Sequence, residues 1–508
     1  MLTLSELLER QAHRRPKATV LSLKNHHTTY GELQSQVEKW ASVLHSRGIR
    51  AGDAYGIILR NSPEFVITFF ALARLGARAV PVNFLLKPDE IAYIFADAGV
   101  VGVVTQPSFL PNVLVAQKQL PGLRDVVVTG EGGEGGVSFN QLQEAVKPVQ
   151  DLPKNTDPNA IAMIIYTSGT TGKPKGAMLS HRNFLVNVEQ CAGMVRLYQK
   201  DVFLCLLPMF HSFAWTVCVL LPISLGCCIV VVESIQPFGN TVKRILRHRV
   251  TILVAVPPIY AALLRVPFWR PLKIILPLRL CISGAAPLPM TVHQKFEAKF
   301  GIPLLEGYGL TETSPVVTIN PEDQRFPGSV GRPLPGVEIH IVDERGQTVP
   351  AGEVGEICVR GENVMKGYYH QDEATREAFL DDAHQWLRTG DVGYLDSSGY
   401  LYISDRKKDL IIVKGLNVYP KEVEDLLLTH PAVQEAAVVG FRHGTGDEWI
   451  KAFVTLKDGG PVDKHVLLKY CRSKLASYKC PRDLEIRPEL PKNTLGKVLK
   501  RALRAENP

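Results

Sequence analysis

A chain of 508 residues exceeds what one hydrophobic core holds, so two or more structural units are expected. Its 45% hydrophobic and 21% charged residues exclude a disordered polypeptide. The net charge of +8 is unevenly placed, because from Asp405 onward there are 20 Lys and Arg against 14 Asp and Glu.

In chain order, Thr29 and Glu32 have the spacing of a capping box, and Leu33, Val37, Trp40, Ala41 and Leu44 mark one helical face that ends at Gly48. Residues 55–59 read as a strand, Asn61-Ser62-Pro63 as a helix start, Gly76 as its stop, and 78–82 as a second strand. Such a strand–helix–strand unit is expected to be parallel. Further strands are expected at 100–105, 161–166, 252–256 and 278–283. The uncharged run FAWTVCVLLPISLGCCIVVV, 20 residues at 213–232, reaches the length of a membrane span, but Pro222, Ser224 and Gly226 interrupt it. It reads as a core helix to Leu225, a glycine stop and a buried strand at 228–232. After Asp405 the pattern shortens to a helix at 420–428, strands near 434–439 and 451–456, and a helix near 464–475. The fold class expected is α/β, with a large multi-sheet domain at 1–404, a hinge at 405–408 and a small mobile α+β cap at 409–508.

Nine scattered cysteines without a CxxC pair read as reduced thiols, and the N-terminal residues lack the pattern of a signal peptide, so a cytoplasmic location is expected. No RNP, zinc-finger or basic-helix signature accompanies the basic end, so nucleic acid is not expected as a partner. Peripheral contact with an anionic membrane and a homodimer are both left open.

The stretch YTSGTTGKPKG at 166–176 combines three glycines, four hydroxyl residues and two lysines around Pro174. Neither a helix nor a strand interior tolerates that composition. Its N–H groups, hydroxyls and lysines suit a nucleoside triphosphate. It is not a P-loop: only two residues separate Gly169 from Gly172, and Pro174 blocks the helix whose N-terminus would hold phosphate. A phosphate-covering lid remains, formed by Thr167, Ser168, Gly169, Thr170, Thr171, Gly172, Lys173 and Lys175.

Together with SGAAPL at 283–288, GYGLTE at 307–312, RTGD at 388–391, DRKKDLIIVKGLNVYP at 405–420 and PKNTLGK at 491–497, this stretch resembles the signatures of the adenylate-forming superfamily. That superfamily comprises acyl-CoA synthetases, beetle luciferases and peptide-synthetase adenylation domains. The resemblance covers nearly the whole chain, in order. It implies ATP and Mg²⁺, with CoA as co-substrate. Gly307 and Tyr308 would meet adenine, the glycines letting Tyr308 lie close to the ligand, with Ala285 and Ala286 on the other face. Thr311 would donate to the α-phosphate. Glu312, a hard oxygen ligand, suits Mg²⁺, with Thr170 as a second contact. Asp391 would accept both ribose hydroxyls, supported by Arg406. Lys497 is implied as the lysine that grips the acid carboxylate and bridging oxygen during adenylation. Lys414, Gly415 and Leu416 would line the pantetheine channel, and Lys408 would be the hinge, with Lys407 next to it.

PMFHSFAW at 208–215 bears on the acid. Positions 208–225 hold no acidic residue to pair with an ammonium group, which argues against an amino acid substrate. By the same resemblance, His211 stands where the family has an aromatic residue or a histidine beside the acid carboxylate, and Trp215 resembles the tryptophan that gates the acyl tunnel of some long-chain synthetases. Phe213, Val217, Ala285, Val316 and Val317 make an apolar tail pocket without an arginine for a dicarboxylate. A medium- or long-chain fatty acid is favoured, with an aryl acid as alternative. A luciferase-like oxygenase and a catalytically silent acyl or nucleotide sensor are the rival classes.

Overall fold

The computed structural model describes residues 2–506 except 131–134, 148, 150, 168–172, 267–275, 414–415, 443–447, 458–461 and 494–495. Local chain signals start the fold. Thr29 caps the helix Tyr30–Ser46 through a reciprocal capping box with Glu32. Strand Ala54–Ile58 leads to the helix Pro63–Leu75, which Ser62 caps by accepting from the Phe65 N–H and which Gly76 closes at φ 74°. Strand Arg78–Pro81 then pairs in parallel with the first. Helix Pro63–Leu75 is apolar nearly all round and is buried accordingly, against Leu4–Arg14 and Tyr30–Ser46.

Two large sheets sandwich these helices. The seven-stranded sheet runs Val137–Ser138, Asp125–Val128, Val100–Thr105, Ala54–Ile58, Arg78–Pro81, Ile161–Thr167 and Lys175–Ser180. Its last two strands are an antiparallel hairpin, in which Thr167 lies opposite Lys175. The nine-stranded sheet has Val202–Cys205, Cys228–Val231, Ile252–Ala255, Leu280–Ser283 and Leu304–Gly309 at its centre, all parallel, with Val316–Ile319 antiparallel beside Leu304–Gly309. A four-stranded antiparallel sheet follows: Glu338–Val342, Gly355–Arg360, Leu387–Leu395 and Leu401–Arg406.

The apolar run 213–232 is buried core, ended by Gly226 at φ 75° and the strand Cys228–Val231. One departure from expectation lies inside it. Ala214–Leu220 is a π-helix, a widened turn that recurs at functional sites, before the α-helical Leu221–Leu225. Among the described residues, no helix is long and apolar enough to cross a membrane.

From Ile411 onward the chain builds a separate cluster, in which Val423, Leu427, Val438, Ile450, Leu467 and Leu484 pack together. It combines the helices Pro420–Leu428, Lys464–Lys474 and Lys500–Ala505 with antiparallel strands Val433–Arg442 and Glu448–Leu456, the latter also paired in parallel with Asp483–Ile486.

Asn61 joins the two large sheets. Its Nδ2 donates to the carbonyls of Cys205 (3.3 Å), Leu207 (2.9 Å) and Val232 (3.1 Å), and its Oδ1 accepts from the Met209 N–H at 2.8 Å. It thereby fixes the backbone that enters PMFHSFAW. Asn61→Ala takes this partner from the Leu207 and Val232 carbonyls and the Met209 N–H, while the Cys205 carbonyl keeps the Val232 N–H, and we expect a loss of about 2–4 kcal/mol from the large lobe's unfolding free energy in urea titration. Asn61→Asp keeps the Met209 bond but turns a buried, acceptor-only oxygen toward three carbonyls, so it should lose at least as much.

Candidate active site

The site forms where the carboxyl ends of the nine-stranded sheet's strands meet the four-stranded sheet. This is the usual ligand position in an open α/β sheet. Strand Leu304–Gly309 delivers Tyr308, and the hairpin of the four-stranded sheet sets Asp391 opposite Arg406. The Tyr308 hydroxyl donates to Asp391 Oδ2 at 2.6 Å, and Arg406 Nε stands 3.0 Å from Oδ1. Asp391 is buried. Burial first, then its charge, pushes the Tyr308 phenol well above its ordinary range, so the phenol stays a donor. Each carboxylate oxygen has one such partner and room for one more donor, which leaves two places for a vicinal diol.

The glycines around Tyr308 answer to the protein's own backbone. A Cβ on Gly309 would lie 1.9 Å from the Pro315 carbonyl oxygen, and one on Gly307 would lie 3.0 Å from that of Thr318. Whatever ligand lies beside the ring, Pro315 and the neighbouring strand Val316–Ile319 leave no space for a side chain at Gly309 and little at Gly307.

Glu312 follows in a short 3₁₀ turn, Thr311–Thr313. Its Oε1 accepts from the Tyr368 hydroxyl at 2.9 Å and from Thr167 at 3.4 Å. Lys175 rests its ammonium 5.3 Å from the centre of the Tyr368 ring, and Lys173 sits 5.9 Å from that of Tyr93. Glu312, Thr167 and Lys175 are therefore brought together around Tyr368. The carboxylate's other oxygen has no protein donor among the described residues, which suits a hard cation such as Mg²⁺. Thr311 meets Ser212 hydroxyl to hydroxyl at 3.2 Å. Ser168, Gly169, Thr170, Thr171 and Gly172 lie outside the described residues, as do Lys414 and Gly415.

SGAAPL forms the facing wall. Ala285 adopts φ 65°, in the left-handed region, and Ala286 is half-buried. A Cβ on Gly284 would meet the Phe213 ring at 2.9 Å, so the glycine lets that ring pack under the loop. His211 lies at the start of the same segment, its ring 4.4 Å from Phe210, and burial pushes its imidazole down to about 4. It is neutral at physiological pH.

The other tail-pocket residues do not all converge. Val217 is buried in the π-helical turn. Val316 and Val317 are consecutive residues of one strand, so their side chains point to opposite faces and cannot both line one pocket. Trp215 is fully buried against Phe65 (5.3 Å), Phe69 (4.4 Å) and Phe70 (6.4 Å) of the helix Pro63–Leu75, and its indole N–H has no hydrogen-bond partner among the described residues.

Lys497 reaches the site from the C-terminal lobe. The turn that carries it is closed by Asn493, whose Oδ1 accepts from the Lys497 N–H at 2.9 Å. Gly496 lies against Pro258 of the large lobe, 3.3 Å from where its Cβ would be. Desolvation, then the neighbouring Arg406, pushes the Lys497 ammonium down to about 8, although Asp391 opposes this. A desolvated cation beside a second cation marks a place built for an anion. Lys408 is exposed in the 3₁₀ turn Lys407–Asp409, where Lys407 pairs with Glu356 at 3.0 Å, and Leu416 is exposed in Leu416–Val418.

Two contributors escaped sequence reasoning. Ser212 sits within a segment read only for its acid-facing residues, and Tyr368 lies in no recognisable motif. Only the fold brings each beside Thr311 or Glu312.

The AMP-binding enzyme family model matches residues 8–369, and that of the AMP-binding enzyme C-terminal domain matches 422–497. A long-chain-fatty-acid–CoA ligase of Bacillus subtilis (strain 168) is 34% identical over 99% of this chain and 94% of its own length. A 4-coumarate–CoA ligase 3 of Oryza sativa subsp. japonica is also 34% identical, over 94% of this chain and 87% of its own. Among solved structures, the anthranilate CoA ligase AuaEII in complex with anthranoyl-AMP superposes with a TM-score of 0.91, at 32% identity over 99% of this chain and 97% of that one. Asp391→Ala should weaken AMP binding by roughly ten- to a hundredfold in calorimetry, the loss of two charge-assisted hydrogen bonds. An unchanged affinity would mean that the diol is held elsewhere.

Proposed function

The chain belongs to the AMP-binding enzyme family, and from that premise we propose that it is an AMP-forming acid–CoA ligase whose acid is a medium- or long-chain fatty acid. The observation that carries the choice of acid is the uncharged wall beside the nucleotide residues. Phe213 packs under Gly284, His211 is neutral, and positions 208–225 hold no acidic or basic side chain except that imidazole. The Bacillus subtilis relative agrees with this reading. The equally similar 4-coumarate–CoA ligase favours an aryl acid as the second one.

In the proposed reaction the acid's carboxylate oxygen attacks the α-phosphorus of ATP. A P–O bond to the acyl group forms, the α–β bridging P–O bond breaks, and pyrophosphate leaves with its electron pair. Lys497 lies between two anions that repel each other, and its ammonium offsets the charge that grows on the α-phosphate oxygens. Thr311 donates to the same phosphate, and Asp391 and Tyr308 hold the nucleoside. Glu312, with Thr170, would hold Mg²⁺, which supplies charge neutralisation of the triphosphate. CoA thiolate then attacks the acyl carbonyl, and AMP departs with the bridging oxygen. Loss of pyrophosphate before the thiol step implies ping-pong kinetics.

We assign the boundary between lobes to 405–408, with Lys408 as hinge and Lys414, Gly415 and Leu416 as the segment presented in the second step. A cytoplasmic location, with peripheral membrane contact through the basic cap, belongs to the same proposal.

Lys497→Ala should abolish fatty-acid-dependent ATP–pyrophosphate exchange yet still convert supplied acyl-AMP to thioester. Equal loss of both steps would contradict the assignment. The pH profile carries a second expectation. A lysine with a free-enzyme pKa near 8 loses its charge as pH rises through that value, so kcat/KM for ATP in adenylation should fall above pH 8. Bound anions favour the ammonium, so the kcat limb should lie higher, and in Lys497→Arg, which does not titrate there, the limb should vanish. A thioester assay with acids from C4 to C18, cinnamate and benzoate decides the substrate, and a preference for cinnamate would establish the second reading.

A further inference from the structure

Two hydrogen bonds that tie the C-terminal lobe to the strand before the hinge residues, in the orientation that delivers Lys497, come from one residue. Lys421 is in the first turn of the helix Pro420–Leu428, beyond the hinge residues. Its ammonium donates to the Ile403 carbonyl at 2.7 Å, and its backbone N–H donates to Asp405 Oδ2 at 2.7 Å. Ile403 and Asp405 belong to Leu401–Arg406, the strand that also carries Arg406 to Asp391. Both bonds thus span Arg406, Lys407 and Lys408. Asp405 is buried, and its other oxygen accepts from the Arg406 N–H at 2.8 Å.

The same ammonium lies within electrostatic reach of Glu306, a buried carboxyl one residue before the GYGLTE motif. Glu306 Oε1 accepts from the Leu288 N–H at 3.0 Å, at the end of SGAAPL. Burial pushes this carboxyl up to about 7, the Leu288 bond and Lys421 lower it, and Asp425 of the cap helix raises it. Lys421 therefore bridges the cap to the strand before the hinge and sits in the field of a group bonded to the adenine-facing loop. A turn of the cap about 405–408 would part the Lys421 ammonium from the Ile403 carbonyl and from Glu306, and the Lys421 N–H from Asp405.

We propose that Lys421 is a positioning residue: a latch that holds the C-terminal lobe in the adenylating orientation and must release before thioester formation. The inference rests on the two-step reading above. It differs from the role of Lys497, because Lys421 touches no reacting atom and acts only on the balance between orientations.

The test compares Lys421→Met and Lys421→Arg with the parent chain, full length. Two rates are measured: ATP–pyrophosphate exchange with the preferred acid, and thioester formation from supplied acyl-AMP. If the latch holds, the ratio of thioester rate to exchange rate rises roughly tenfold in Lys421→Met, the worth of a hydrogen bond to a charged donor, and stays within about twofold of the parent in Lys421→Arg. Partial misfolding lowers both rates together and leaves the ratio unmoved. A catalysis-independent readout accompanies it: tryptic cleavage after Lys407 and Lys408 should be about tenfold faster in Lys421→Met under native conditions. An unchanged or lower ratio with unchanged cleavage overturns the latch. Faster cleavage in a chain whose parent shows no acid-dependent exchange supports the latch and overturns the proposed function instead.

Discussion

A carboxylate buried between a phenol and a guanidinium needs both donors, because an unpaired charge at that depth is strongly unfavourable. Asp391 has them in Tyr308 and Arg406, which come from different sheets. The nine-stranded sheet supplies the ring, and the four-stranded sheet supplies the acid and base from adjacent strands of one hairpin. The site exists only when those sheets meet in this register. The strand that ends in Arg406 also runs directly into Lys407–Asp409, where the hinge is proposed, so a turn of the cap there would pull on the group paired with Asp391.

Charge organises the rest. Three cations belong to the site: Lys175 on the Tyr368 ring beside Glu312, Arg406 on Asp391, and Lys497 depressed by desolvation and by Arg406. Such an arrangement is unfavourable until a polyanion neutralises it, which is the logic of a site preorganised for phosphoryl-transfer charge. Against it stands the uncharged wall of Phe213 and the π-helical turn, where nothing answers a charged acid tail. The polar and apolar parts of the site thus suit the acyl-adenylate proposed above.

Much of this was legible in the chain because the signals are local. The capping box at Thr29, the Ser62-Pro63 start and the Gly76 stop each act within a few residues, and each forms as read. Motifs that carry charge or glycine likewise announce Tyr308, Asp391 and Lys497. Partition of the strands into two large sheets did not show, since strand pairing is decided by residues far apart in sequence. Ser212, Tyr368, Glu306 and Lys421 were missed for the same reason. A serine, a tyrosine, a glutamate and a lysine are ordinary residues until a neighbour some 15 to 100 positions away gives each a partner. Period-two alternation along Val316–Ile319, by contrast, was available from sequence and already separates Val316 from Val317.

A crystal structure with a sulfamoyl-linked acyl-adenosine, in which the reactive phosphate ester is replaced by a stable link, tests the central claim most directly. The ribose hydroxyls should lie about 2.6–3.2 Å from the Asp391 carboxylate, the sulfamoyl group beside Lys497, and the acyl chain against Phe213. A nucleoside bound away from Asp391, with that carboxylate still bonded only to Tyr308 and Arg406, would contradict the account.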